Sequence, residues 1–97
     1  MNYIAEITWL KPEEGGRQTA APFNSDKYGP QIRFDGLKGS WSLIVCNYQK
    51  LGEFKTLAKL YYLNKVDAPN NLKKGLEFEL YEGVKKVASG IIKEEIK

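Results

Sequence analysis

Apolar and polar side chains alternate along much of this chain, and a period of two predicts strands rather than helices. The clearest stretch is Leu72 to Ile92, LKKGLEFELYEGVKKVASGII, in which Leu76, Phe78 and Leu80 alternate with Glu77 and Glu79. Extended backbone then buries one face and wets the other. Glu82-Gly83-Val84-Lys85 reverses the chain, because Gly83 is free to take a positive φ. Lys86 to Lys93 returns as the partner strand. Gly75 suggests a tight turn before the hairpin, and Gly90 within the return strand signals a bulge or a close backbone approach.

The remaining segments follow the same pattern. Tyr3 to Leu10 (YIAEITWL) reads as a first strand with Tyr3, Ile7 and Trp9 inward. From Lys11 to Pro30 the composition shifts to Pro, Gly, Asn, Ser, Asp and charge, a loop of about 20 residues for which a compact domain usually has a use. Gln31 to Phe34 is a short strand, and Asp35 to Ser40 turns the chain. Trp41 to Tyr48 places Trp41, Leu43 and Val45 on one face and Ile44 and Cys46 on the other, so both faces are largely apolar. Leu51-Gly52-Glu53 is the next turn. Phe54 to Leu63 (FKTLAKLYYL) also fits helical spacing through Leu57, Leu60 and Tyr61, but its tyrosine pair and its neighbours favour a strand. Pro69-Asn70-Asn71 is a turn. The sum is an all-β chain of about six strands, expected to form a small antiparallel barrel or sandwich.

Composition narrows this picture. The 97 residues support one core and are too few for a second, so residues 1–97 are expected to be a single domain. Lys and Arg number 15 against 12 Asp and Glu, and the resulting charge of +3 permits an anionic partner without demanding one. Cys46, the one cysteine, excludes an internal disulfide and suits a reducing compartment. No apolar run approaches the roughly 20 residues that span a bilayer, and Met1 to Glu6 has no signal-peptide pattern. A cytoplasmic location without membrane contact is expected.

Candidate chemistry is sparse. Histidine is absent, which removes the commonest general base and the commonest metal ligand. Cys46 lies in an apolar strand and reads as a small core hydrophobe. Glu13-Glu14, Glu77 with Glu79, and Glu94-Glu95 read as solvated pairs. No phosphate-cradle motif is present: Gly15-Gly16 is followed by Arg17 without a helix pattern. No enzymatic activity, metal or cofactor is expected. Binding residues remain. Arg17, in a glycine-flanked loop, can fork onto a phosphate or carboxylate. Lys73-Lys74 and Lys85-Lys86 bracket one strand, and Tyr81 is the aromatic expected to face outward beside Glu77 and Glu79.

Several stretches together resemble one family. Glu13-Glu14-Gly15-Gly16-Arg17-Gln18-Thr19, Pro22-Phe23, Tyr28-Gly29-Pro30-Gln31-Ile32-Arg33-Phe34, Leu51-Gly52, Leu72 to Phe78 and Glu82 to Ile92 are similar, in order and spacing, to the third, C-terminal domain of elongation factor Tu. The resemblance runs from Tyr3 to Ile92 and implies a six-stranded antiparallel β-barrel. It also implies a binding module for tRNA or a translation factor, with no GTP binding by this chain alone. The T-stem positions of that family fall on Gln31, Ser40 and Glu82, with Ser40 in place of the family's threonine. Arg17 matches the arginine of its Gly-Gly-Arg loop and Lys85 a basic residue of its last hairpin. An amide, a hydroxyl and a carboxylate suit ribose hydroxyls and base edges of a minor groove, and cations offset phosphate. Gln18 replaces a family histidine, and Gly29 replaces a family arginine. The alternative is a protein-interaction module that imitates the elongation factor toward an exchange factor or a toxin.

Overall fold

The computed structural model describes residues 2–96. Six strands, β1 (Asn2–Trp9), β2 (Gln31–Phe34), β3 (Trp41–Gly52), β4 (Lys55–Tyr62), β5 (Glu77–Glu82) and β6 (Lys85–Ile96), close into an antiparallel barrel in the spatial order β1-β4-β3-β2-β5-β6. Closure gives every strand a neighbour on both sides. Among the described residues no helix is long and apolar enough to cross a membrane.

The segment with two possible periods is β4. Its Ala58 lies opposite Ala5 of β1 and Asn47 of β3, so neighbours on both sides hold it extended. Thr56, Ala58 and Leu60 point into the core, while Leu57 and Tyr61 are half-buried on the outer side. Cross-strand pairing therefore decides a segment whose apolar residues also fit a helix. The inward face of β1 is Tyr3, Ala5 and Ile7, with Trp9 half-buried at the rim.

Bulges carry two strands further than their alternation suggests. In β3, Asn47 pairs with Ala58 and Gln49 with Leu57, so Tyr48 is the extra residue and the strand continues to Gly52. In β6, Lys86 pairs with Tyr81 and Ala88 with Leu80; Val87 between them is extra, and Val87 and Ala88 are both buried. An inserted residue resets which face the following side chains occupy. Gly90 is not at a bulge. It pairs in unbroken register with Ile7 and Phe78. A Cβ there would stand 2.7 Å from Phe78 Cε1 and 2.9 Å from Glu6 O, so Gly90 marks a close approach.

Cys46 departs from the core role expected of it: it lies half-buried on the outer side of β3, opposite Lys59. Ile44, on the same side, is buried beside Gly29 and Leu63.

The barrel has two differently closed ends. At one, the loop after β4 is tied down by the Tyr62 hydroxyl donating to Pro69 O at 2.6 Å and Leu72 N donating to the Tyr3 hydroxyl at 3.2 Å. At the other, the long segment between β1 and β2 lies across the barrel mouth. It is ordered by many local contacts. A 3-10 turn at Pro12–Glu14 is capped by Lys11 N donating to Glu14 Oε1 at 2.9 Å. Gly16 N donates to Lys11 O at 2.9 Å, and a Cβ on Gly16 would overlap the Leu10 carbonyl, so only glycine lets the loop fold back there. Further along, Asn24 N donates to Asn47 O and Val45 N to Tyr28 O, at 2.7 and 3.0 Å, extending the sheet beyond β2.

Candidate functional site

The mouth-closing loop brings Arg17 and Tyr28 onto Glu82 at the end of β5. The Arg17 guanidinium forms an ion pair with Glu82 Oε2, and the Tyr28 hydroxyl donates to the same oxygen. Arg17 also donates through Nε to Thr19 O at 3.2 Å and stacks 4.6 Å from the Tyr28 ring centroid. The Tyr28 ring in turn lies 5.8 Å from that of Trp9. Strand alternation explains the position: Tyr81 faces outward, so Glu82 turns toward the barrel mouth and meets the loop. Lys85, its pair across the hairpin, is exposed.

Burial alone pushes the Glu82 carboxyl up, but hydrogen bonds from Tyr28 and Arg17 and the charges of Arg17 and Lys85 outweigh it. The group is held below its ordinary value of 4.5. Burial and the Glu82 carboxylate raise the Tyr28 hydroxyl. For Arg17, burial disfavours the cation, and contact with Glu82 and Tyr28 reverses that effect and raises its pKa. The cluster therefore holds a carboxylate, a guanidinium and a neutral phenol across neutral pH.

A depressed carboxyl stabilises the fold above its unfolded value and loses that contribution as pH falls through the folded value. With the Glu82 side chain 36% exposed, solvent screening limits the effect, and Glu82→Gln should cost about 1 kcal/mol at neutral pH. Melting curves taken from about pH 7 to about pH 3 should show the gap between the two proteins closing below pH 4.5. Parallel curves would mean that Glu82 is not held as the carboxylate.

Gln31 and Ser40 occupy the outer wall beside this cluster. Ser40 Oγ donates to Gln31 Oε1 at 3.3 Å, and both side chains are exposed. Gln31 pairs with Tyr81, adjacent to Glu82. The five residues singled out in the sequence thus fall into two neighbouring groups: Arg17 with Glu82 and Lys85 at the rim, and Gln31 with Ser40 on the wall.

Beside Tyr81, Glu79 and Lys86, which the sequence had pointed to, the wall carries Arg33, which sequence reasoning passed over. Arg33 stacks on Tyr81 at 4.3 Å from the ring centroid, which leaves Tyr81 only half-exposed. Tyr81 donates to Glu79 Oε1 at 3.1 Å, and Lys86 Nζ pairs with Glu79 Oε2 at 2.8 Å. The Lys86 and Tyr81 hydrogen bonds, in that order, lower the Glu79 pKa. Arg33, two residues from Gln31 on a strand, was findable by alternation alone.

A buried polar chain was also missed. Trp9 Nε1 donates to Thr56 Oγ1 at 2.9 Å, Thr56 donates to Asn47 Oδ1 at 2.8 Å, and Asn47 Nδ2 donates to Pro22 O at 3.4 Å. Asn47 is 1% exposed. Its signal was its place after Leu43 and Val45 on the inward face of β3.

Among the described residues, no three His, Cys, Asp or Glu side chains converge to hold a metal ion. No protein-family model matches the sequence, and no curated protein matches it.

Proposed function

We propose that this chain is a non-catalytic binding module built on the plan of the third domain of elongation factor Tu, contacting tRNA through the wall and rim around β2 and β5. The observation that carries the reading is the exposed Gln31–Ser40 pair, set one strand from a pre-held Glu82 carboxylate and the exposed Lys85. An amide and a hydroxyl meet 2′-hydroxyls and base edges, the carboxylate accepts from ribose, and Lys85 meets phosphate. Arg17 acts here as a positioning residue, since its guanidinium is occupied by Glu82, Thr19 and the Tyr28 ring. The module has no GTPase activity of its own, and work with the translation apparatus places it in the cytoplasm.

Titration of tRNA at several salt concentrations tests this. Lys85→Ala should reduce the slope of log K against log salt by about one, and Gln31→Ala should weaken binding about fivefold with the slope unchanged. If neither variant changes affinity, the assigned face is wrong.

A second reading, a protein-interaction module facing a translation factor, is favoured by Glu77 and Glu79 on the same wall, because carboxylates there repel phosphate. Capture from an extract separates the two. Protein partners that survive nuclease treatment favour the second reading, whereas co-purifying tRNA favours the first.

A further inference from the structure

We propose that Arg33 is a second phosphate-binding residue of the RNA face, held flat on Tyr81 and set across Gln31 from Lys85, so that two cations bracket the groove-reading amide. This role for Arg33 rests on the tRNA reading above and adds the contact that fixes the backbone.

Arg33 is exposed on β2 and lies opposite Glu79 of β5, a position from which the two charges could pair directly. No such pair forms. Lys86 Nζ takes Glu79 Oε2 at 2.8 Å and the Tyr81 hydroxyl donates to Oε1 at 3.1 Å, so both carboxylate oxygens are already engaged. The Arg33 guanidinium sits instead 4.3 Å from the Tyr81 ring centroid. Among the described residues Arg17 and Lys86 are bound to carboxylates, whereas Arg33 and Lys85 are in no ion pair. The two cations left for a partner are therefore Arg33 and Lys85.

The ring beneath the guanidinium orders a long side chain before binding and leaves its N–H edge open. That edge matches two oxygens of a phosphate, and a fork already held in place loses little freedom when it binds. Strand register sets the spacing: Arg33 is level with Glu79, Gln31 with Tyr81, and Lys85 with Glu82. Three residues of strand are about 10 Å, and Gln31 falls within that interval. A polyanionic backbone meets both cations at once, whereas a lone carboxylate meets one. Backbone contacts on either side of a base-reading group fix its register on the duplex. Beyond Arg33 the face ends. Asp35 and Glu77 are adjacent there, exposed and in no ion pair, and such carboxylates repel a phosphate backbone.

The test extends the tRNA titration at several salt concentrations to Arg33 and Tyr81. Arg33→Ala should weaken binding about tenfold and reduce the slope of log K against log salt by about one. Arg33→Lys should restore the slope but stay about threefold weaker than the parent, because the charge returns without the fork. Tyr81 is a positioning residue, so Tyr81→Leu should weaken binding about threefold with the slope kept, and Tyr81→Phe, which retains the ring, should match the parent. In the Arg33→Ala background Tyr81→Leu should add nothing. These side chains lie on the outer wall, and melting curves close to the parent's should show the variants folded. If the parent binds tRNA and Gln31→Ala weakens it, but Arg33→Ala changes neither affinity nor slope, the role of Arg33 is overturned and the tRNA reading stands. Additive losses from Tyr81→Leu and Arg33→Ala overturn the positioning by Tyr81. A parent that binds no tRNA even at low salt overturns both the role of Arg33 and the reading beneath it.

Discussion

Gly90→Val is expected to lower the unfolding midpoint more than any other single substitution considered for this barrel. Gly90 pairs with Phe78 and Ile7 on its two sides, and the Phe78 ring occupies the space a side chain would need. That ring is 2% exposed and packs 6.3 Å from the Phe34 ring, so it has no solvent to swing into. The other obstacle is Glu6 O, a backbone atom fixed by the β1–β6 ladder. Overpacking commonly costs about 1–3 kcal/mol, and Val adds two further methyl groups at a site closed even to Cβ. A loss of about 3 kcal/mol or more should appear as a fall of about 12–24 °C in Tm for a domain of this size. Phe78→Leu combined with Gly90→Ala should cost less than the sum of the two changes, since removing the ring makes room for the methyl group. An unchanged Tm for Gly90→Val would contradict the close approach.

Thr56→Val is expected to produce the second large loss, although it hardly changes volume. The Thr56 hydroxyl both accepts from Trp9 Nε1 and donates to Asn47 Oδ1. Its removal strands two polar atoms, one of them on a side chain 1% exposed. A buried group without a partner costs about 1–3 kcal/mol, so the two together should cost about 2–6 kcal/mol. Thr56→Ser keeps the hydroxyl and should stay within about 1 kcal/mol of the parent. Denaturant titrations check this through the midpoint at constant m-value. A Thr56→Val protein as stable as Thr56→Ser would show that the hydrogen-bond chain does not contribute as described.

The candidate site was only partly legible in the sequence. Arg17, Gln31, Ser40, Glu82 and Lys85 were singled out one at a time, and the structure brings them together as two adjacent groups. Their partners were harder to find. Tyr28 was given no role of its own in the sequence, yet its hydroxyl and ring hold Glu82 and Arg17 in place. The separation explains the difficulty: Arg17 and Glu82 are 65 residues apart, and Tyr28 and Glu82 are 54. No local pattern encodes such pairs. Asn47 is the instructive contrast, because extending the Leu43, Val45 alternation by one step would have placed it inside the barrel.

By itself the sequence determined the strands, because a side chain's face follows from its parity wherever the ladder is regular. The alternating segments of β1, β2 and β5, the Gly83 turn and the glycine within β6 were readable on that basis. Tertiary structure alone decided what parity cannot carry. Bulges at Tyr48 and Val87 change the count of residues between facing positions, and only pairing with the neighbouring strand reveals them. Barrel closure set β4 between β1 and β3 and so settled its period. The order of the segment from Lys11 to Pro30 likewise arises from contacts made across the barrel mouth. These are long-range interactions, whose energy depends on where the whole chain has brought each group rather than on the residues beside it.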